Sequence, residues 1–169
     1  MERRLNNITK HLSDDDIRWA FYERFQVNPG EVIVSSKQAV QHLSGLIINR
    51  DREKFAVIYL NGANALINSE VIFEGSLTIA AVYPREIVKG VIDNGAASII
   101  IGHNHPSGSI YPSPSDKEVT RKIEQACSTV DVILHDHIII GYDKWFSFSD
   151  NGMLGIHPKF ETTSSNTHG

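Results

Sequence analysis

The chain has 169 residues, 41% of them apolar and 21% charged, with a formal net charge of −4 and one cysteine. Such a composition is ordinary for a globular protein, and the length suffices for a core that needs no covalent staples. An intrachain disulfide, a cysteine-based zinc knuckle and an iron–sulfur site are excluded, and no global basic footprint points to nucleic acid.

The first residues, MERRLNNITKHLSDDD, lack the apolar centre of a signal peptide. No run of about 18 apolar residues follows, so no membrane association and a cytoplasmic location are expected. Residues 1–30 read as a short helical extension. Ser13 with Asp16 three positions on resembles a capping-box start, and Ile17, Ala20, Phe21 and Phe25 follow at helical spacing. Asn28-Pro29-Gly30 ends that piece.

Val32, Ile33 and Val34 form a short apolar run. Residues 37–48 are predicted as a helix with Ala39, Val40, Leu43, Leu46 and Ile47 on one side. Residues 54–60 are predicted as a buried strand, closed by an Asn61-Gly62 turn signal, with residues 65–73 as its hairpin partner. Pro84 opens a helix whose apolar face is Ile87, Val88, Val91 and Ile92, and Gly95 can end it. Residues 97–101 read as another buried strand, followed by the loop HNHPSGSIYPSPS. Asp116 then starts a helix with Val119, Ile123, Ala126 and Cys127 inward, the cysteine as core packing. Residues 132–134 and 137–140 read as two strands, and 145–148 as a last short one.

Interleaved strands and helices predict an α/β (α+β) domain with a mixed sheet over residues 31–154. The polar tail over 155–169 is expected to be disordered. Two small basic groups, Arg50, Arg52 and Lys54, and Lys117, Arg121 and Lys122, read as solvated surface charge.

Chemistry concentrates at His103-Asn104-His105, directly after a buried strand. In extended backbone the two histidines point to one side, and Gly102 is expected to let the chain bend there. Asp116 follows after ten intervening residues, a loop long enough to return a carboxylate to the imidazoles. Two imidazole nitrogens and one carboxylate leave a fourth tetrahedral position for water, as catalytic zinc sites do. A general base would come from Glu53, Glu70, Glu74 or Glu86. Ser113 can start the helix or donate to a developing oxyanion. A rival pair, His135 and His137 around Asp136, reads as one core and one surface residue. His137 is alternatively a donor to a carboxylate near the metal.

Glu53, then His103-x-His105, seven residues, Ser113, two residues and Asp116 match the JAMM pattern of the MPN/JAB metalloprotease superfamily. The wider stretch over residues 31–154 resembles its RadC-like branch. The residues that carry this are Phe73-Glu74-Gly75-Ser76-Leu77, Tyr83-Pro84-Arg85-Glu86, His103-Asn104-His105-Pro106-Ser107-Gly108, Pro112-Ser113 and Asp136-His137-Ile138-Ile139-Ile140-Gly141. The resemblance implies a curved mixed sheet flanked by helices, with one zinc on His103, His105 and Asp116. It further implies Glu53 as general base, Ser113 as oxyanion donor and a peptide or isopeptide as substrate. The glycine-rich hairpin of the helix-hairpin-helix module common in that branch is absent from the first 30 residues, so DNA binding by that route is not expected.

A metal-dependent nuclease or DNA-repair-associated factor is the competing enzyme reading, against which stand the acidic charge and the single clear ligand set. A non-catalytic protein-interaction module is the third, against which stands the complete motif. A zinc deaminase would need a Cys-x-x-Cys pair that Cys127 alone cannot supply.

Overall fold

A computed structural model of the chain describes residues 26–49, 51–75 and 82–155, with Ser13, Asp16, Ala20, Glu23 and Arg24 before them. The rest of the expected N-terminal helix, Arg50 and the tail from 156 onward lie outside the described residues. The expected helix start is present. Ser13 Oγ accepts from the Asp16 N–H at 3.1 Å, and Asp16 Oδ2 accepts from the Ser13 N–H at 2.9 Å.

Helix α1 (Ser36–Ile47) begins one residue earlier than its apolar spacing suggests. Ser35 in extended conformation caps it, its Oγ accepting from the Gln38 N–H. Strands β1 (Glu53–Leu60) and β2 (Leu66–Gly75) form the expected hairpin. Its turn is not a two-residue Asn61-Gly62 loop. It spans residues 61–65, with Asn61 Oδ1 accepting from the N–H groups of Ala63 and Ala65 and with Asn64 in the left-handed region. Helix α2 (Pro84–Asn94) has Pro84 in its first turn and ends at Gly95, whose φ is 61°.

Strand β3 (Ser98–Asn104), helix α3 (Pro114–Ser128), strand β4 (Ile133–Ile140) and strand β5 (Trp145–Ser147) complete the described elements. The sheet runs β2-β1-β3-β4-β5. Strand β1 is antiparallel to β2 and β3, β4 to β5, while β3 and β4 are parallel with α3 as the crossover between them. A mixed five-stranded sheet with helices on both faces is the predicted class.

The two faces have separate cores. Phe55, Val57, Tyr59, Ile99, Ile101 and Leu134 pack with Ile87 and Val91 of α2 and Val119, Ile123 and Cys127 of α3. Ala56, Ile58, Leu60, Ile100, Ile138 and Ile140 pack with Ala39, Leu43 and Ile47 of α1. Central strands β1 and β3 are covered on both sides, which is why their sequences read as unbroken apolar runs. Each such side chain, fully buried, contributes roughly 1.5–3 kcal/mol.

Three expectations change. His103 and Asn104 belong to β3 rather than to the following loop, because β1 and β4 run alongside: Phe55 pairs with His103, and Asn104 with Ile140. Gly102 therefore makes no bend. It sits in mid-strand, where a Cβ would lie 2.6 Å from Leu43 Cδ1, so glycine there admits α1 onto the sheet. The two short strands expected around His135-Asp136-His137 are one strand, β4. It carries an extra residue: Ile99 pairs with Leu134, but Ile100 pairs with Asp136. This bulge at His135 reverses the alternation. Leu134 faces the α2–α3 core, Ile138 and Ile140 face α1, and His137 returns to the α2–α3 side opposite Ile101.

Candidate metal centre

The C-terminal end of β3 and the first turn of α3 meet above the α2–α3 face of the sheet. His103 has Phe55 as its β1 neighbour, with the two rings stacked 6.1 Å apart. His105 follows the strand end, where its N–H donates to the Ile140 carbonyl at 3.0 Å. Its Nδ1 bonds the Ser109 carbonyl at 2.9 Å. A carbonyl only accepts, so Nδ1 carries the hydrogen and Nε2 of the neutral ring keeps its lone pair. Loop residues 106–110 are held against the end of β4. Tyr142 Oη donates to the Pro106 carbonyl at 2.5 Å, and a Cβ on Gly108 would meet the Tyr142 ring at 2.6 Å.

Asp116 enters from the third position of α3 in a full capping box. Ser113 Oγ accepts from the Asp116 N–H at 3.1 Å, and the Ser113 N–H donates to Asp116 Oδ2 at 2.7 Å. The cap and the helix N-terminus both favour an ionised carboxylate there, the latter by about 0.3–1 kcal/mol.

His103 Nε2 stands 3.0 Å from His105 Nε2 and 3.2 Å from Asp116 Oδ1, and His105 Nε2 stands 3.4 Å from Asp116 Oδ2. Ligands on a tetrahedral ion at about 2.0–2.1 Å are about 3.3 Å apart. Among the described residues His103, His105 and Asp116 form a group that could hold a metal ion. Their donor chemistry fits, because a cation satisfies converging lone pairs that would otherwise repel.

The two imidazoles are pushed in opposite directions. Burial holds the His103 imidazole below its usual range, against the pull of Asp116. Hydrogen bonding to Asp116 raises His105, against burial. Burial would raise Asp116, but its contacts with the two histidines and Ser113 outweigh it and hold the carboxyl well below the usual carboxylate range.

Glu53 opens β1 on the same face as Phe55 and is half-buried, and its charge favours the protonated forms of His103 and His105. The other three acids are placed elsewhere. Glu70 accepts from the Tyr59 hydroxyl at 2.7 Å, Glu74 lies 3.8 Å from Arg52 and 4.0 Å from Lys54, and Glu86 pairs with Arg85 at 3.3 Å.

Residues that the motif does not single out shape the site. Asn104, between the two histidines, clamps the approach to Glu53. Its Oδ1 accepts from the Lys54 N–H at 2.7 Å, and its Nδ2 donates to the carbonyls of Asn49 at 2.7 Å and Arg52 at 3.0 Å. His137 lies fully buried under His103. Its Nε2 is 2.8 Å from His103 Nδ1 and its Nδ1 is 2.6 Å from Thr120 Oγ1, so its partners are an imidazole and a hydroxyl rather than the expected carboxylate. His135 is not a plain surface residue: it is half-buried and bonds Asn64 Oδ1 at 2.9 Å. Buried Asp136 faces away and accepts from the Ser147 hydroxyl and the Ser149 N–H. Periodicity could not separate these roles, because the bulge breaks it.

A mixed sheet with a His-x-His pair at the end of a central strand and an aspartate in the first turn of the next helix defines a JAB-type domain with a capacity for metal. The RadC-like JAB domain family matches residues 33–153, and the chain belongs to that family. It is 34% identical to the UPF0758 protein YeeS of Escherichia coli (strain K12), over 91% of this chain and 95% of that protein. A UPF0758 protein of Photobacterium profundum is 44% identical, and one of Vibrio parahaemolyticus 38%, each over 74% of this chain. The chain spans 56% of the length of those two relatives. No helix among the described residues is long and apolar enough to cross a membrane.

Proposed function

We propose that the chain is a zinc-dependent hydrolase of the JAMM type that cleaves a peptide or isopeptide bond in a peptide or protein substrate. The observation that carries this reading is the convergence of His103 Nε2, His105 Nε2 and the Asp116 carboxylate at near-tetrahedral separations, on the face where Glu53 begins β1. His103, His105 and Asp116 would hold the zinc, which when bound would supply Lewis acidity and lower the pKa of a water toward about 7.

The remaining work falls to the chain. Glu53 accepts a proton from water as the water oxygen attacks the carbonyl carbon, and returns it to the leaving nitrogen as the C–N bond breaks. The Ser113 hydroxyl accepts from the Asp116 N–H, which leaves its own hydrogen to donate to the oxyanion that develops on the carbonyl oxygen. The capping box sets Asp116 and Ser113 as one unit, so ligand and oxyanion donor cannot drift apart.

Attack on a phosphodiester has less support. Two-metal sites hold ions about 4 Å apart, and the described residues contain one such ligand group. Three of the nearby cations are paired with acids, Lys122 with Glu118 at 2.9 Å and Arg52 and Lys54 with Glu74.

Elemental mass spectrometry of the purified protein beside its His105→Ala variant tests the reading. One zinc per chain, lost in the variant, is expected, and peptide hydrolysis should depend on it. A wild-type protein that neither carries zinc nor takes it up on titration refutes the metal site and leaves the interaction-module reading.

A further inference from the structure

We propose that Thr120 and His137 are positioning residues that form a one-directional hydrogen-bond relay, fixing the proton of His103 on Nδ1 and so reserving its Nε2 as a ligand. The inference deepens the proposed metal site and rests on that reading only for its effect on affinity.

The relay begins in α3. Thr120 Oγ1 lies 2.6 Å from the Asp116 carbonyl oxygen and 2.6 Å from His137 Nδ1. A hydroxyl has one hydrogen, and the carbonyl can only accept. Thr120 therefore donates to Asp116 and must accept from His137, which places a hydrogen on His137 Nδ1. The neutral ring then has a lone pair on Nε2. That nitrogen faces His103 Nδ1 at 2.8 Å, so His103 Nδ1 donates. Nε2 of His103 is left with its lone pair toward His105 and Asp116.

A doubly protonated His137 would reverse the last step. It is fully buried, and neither of its partners is a carboxylate, so a charge there would go uncompensated. Packing removes the remaining freedom. The Phe148 ring stacks on His137 at 4.8 Å and Phe55 meets it edge-on at 5.8 Å, which prevents the ring flip that would exchange its two nitrogens.

Metal-bound histidines commonly donate their second N–H to a carboxylate or a carbonyl, groups that can only accept. An imidazole in that place can donate or accept and needs an instruction of its own. Thr120 gives it, because its single hydrogen is already committed to the backbone of the helix that carries the third ligand. The same hydroxyl thus links the backbone of Asp116 to the tautomer of His103.

Two measurements separate this inference from the metal site itself. Long-range proton–nitrogen NMR of metal-free, histidine-labelled protein near pH 8 reads the tautomers directly. Wild type should show hydrogens on Nδ1 of both His103 and His137. Thr120→Val keeps the shape but removes the acceptor, and it should release both rings into mixed tautomers. Thr120→Ser should restore the wild-type pattern. In chelator competition, zinc affinity should fall about 10–100-fold in Thr120→Val and return to within about threefold in Thr120→Ser. Wild-type His103 with its hydrogen on Nε2 overturns the relay, even if the valine variant fails to fold. So does a folded Thr120→Val protein with unchanged tautomers and unchanged zinc affinity. Absence of zinc binding by wild type bears on the metal site alone and leaves the tautomer result to decide the relay.

Discussion

Replacing Asp136 by asparagine should make the protein more stable at neutral pH, and the gain should vanish in mild acid. Asp136 is fully buried beside the α1 face, where burial pushes its carboxyl up to about 6 from an ordinary 3.8, against hydrogen bonds from Ser147 and Ser149. The folded state thus holds this proton more tightly than the unfolded state. Stability from this group is fully present below about pH 4 and is lost as pH rises through about 6. A difference of about two pH units corresponds to about 3 kcal/mol, the cost of the buried charge at pH 7. Asparagine removes the charge, keeps the Ser149 contact and reverses the direction of the Ser147 contact. Its carbonyl accepts from the Ser149 N–H, and its amide donates to Ser147 Oγ, which already accepts from the Asp150 N–H. Urea unfolding of both proteins, metal-free, between pH 4 and 7.5 measures the effect. Every other group titrates in both, so the difference isolates position 136. The variant should gain about 2.5 kcal/mol relative to wild type across the window, most of it between pH 4.5 and 6.5. A difference flat to within about 1 kcal/mol would mean that Asp136 ionises in the fold as it does in water, and the reasoning would be wrong.

Glu53→Gln should retain zinc while hydrolysis of a peptide substrate falls by about 10²–10⁴-fold. Metal analysis alongside rate measurement checks this, and an unchanged rate moves the base elsewhere. Gly102→Ala drives a methyl group to within 2.6 Å of Leu43 Cδ1 and should cost about 1–3 kcal/mol by urea unfolding. A loss below about 0.5 kcal/mol would show that α1 can shift at no cost.

Legibility in the sequence followed the physics of each segment. Elements with one buried face or two were plain, because α1 shows helical spacing and β1 and β3 are unbroken apolar runs. The group that could hold a metal was legible from two histidines of equal parity at a strand end and an acid at a helix start. Limits set by neighbours were not. His103 and Asn104 look like loop because glycine and polar residues begin there, yet they are strand because β1 and β4 flank them. Asn104 as a clamp on the approach to Glu53, and Thr120 as a partner of His137, depend on contacts 50 and 17 residues apart, which no local pattern encodes.

The extra residue in β4 makes that strand behave like a text with a shifted reading frame. Before His135 its odd and even positions answer to one assignment of faces, and after it to the opposite one. Straightening the strand, with His135 drawn into regular pairing opposite Ile100, would leave hydrophobicity, length and pairing almost unchanged. It would nevertheless exchange the two neighbours, sending the Asp136 carboxylate under His103 and the His137 imidazole toward α1. The buried position next to His103 would then hold an acceptor with no hydrogen to direct. The bulge at His135 is therefore as much a part of the site as His103, His105 and Asp116 are.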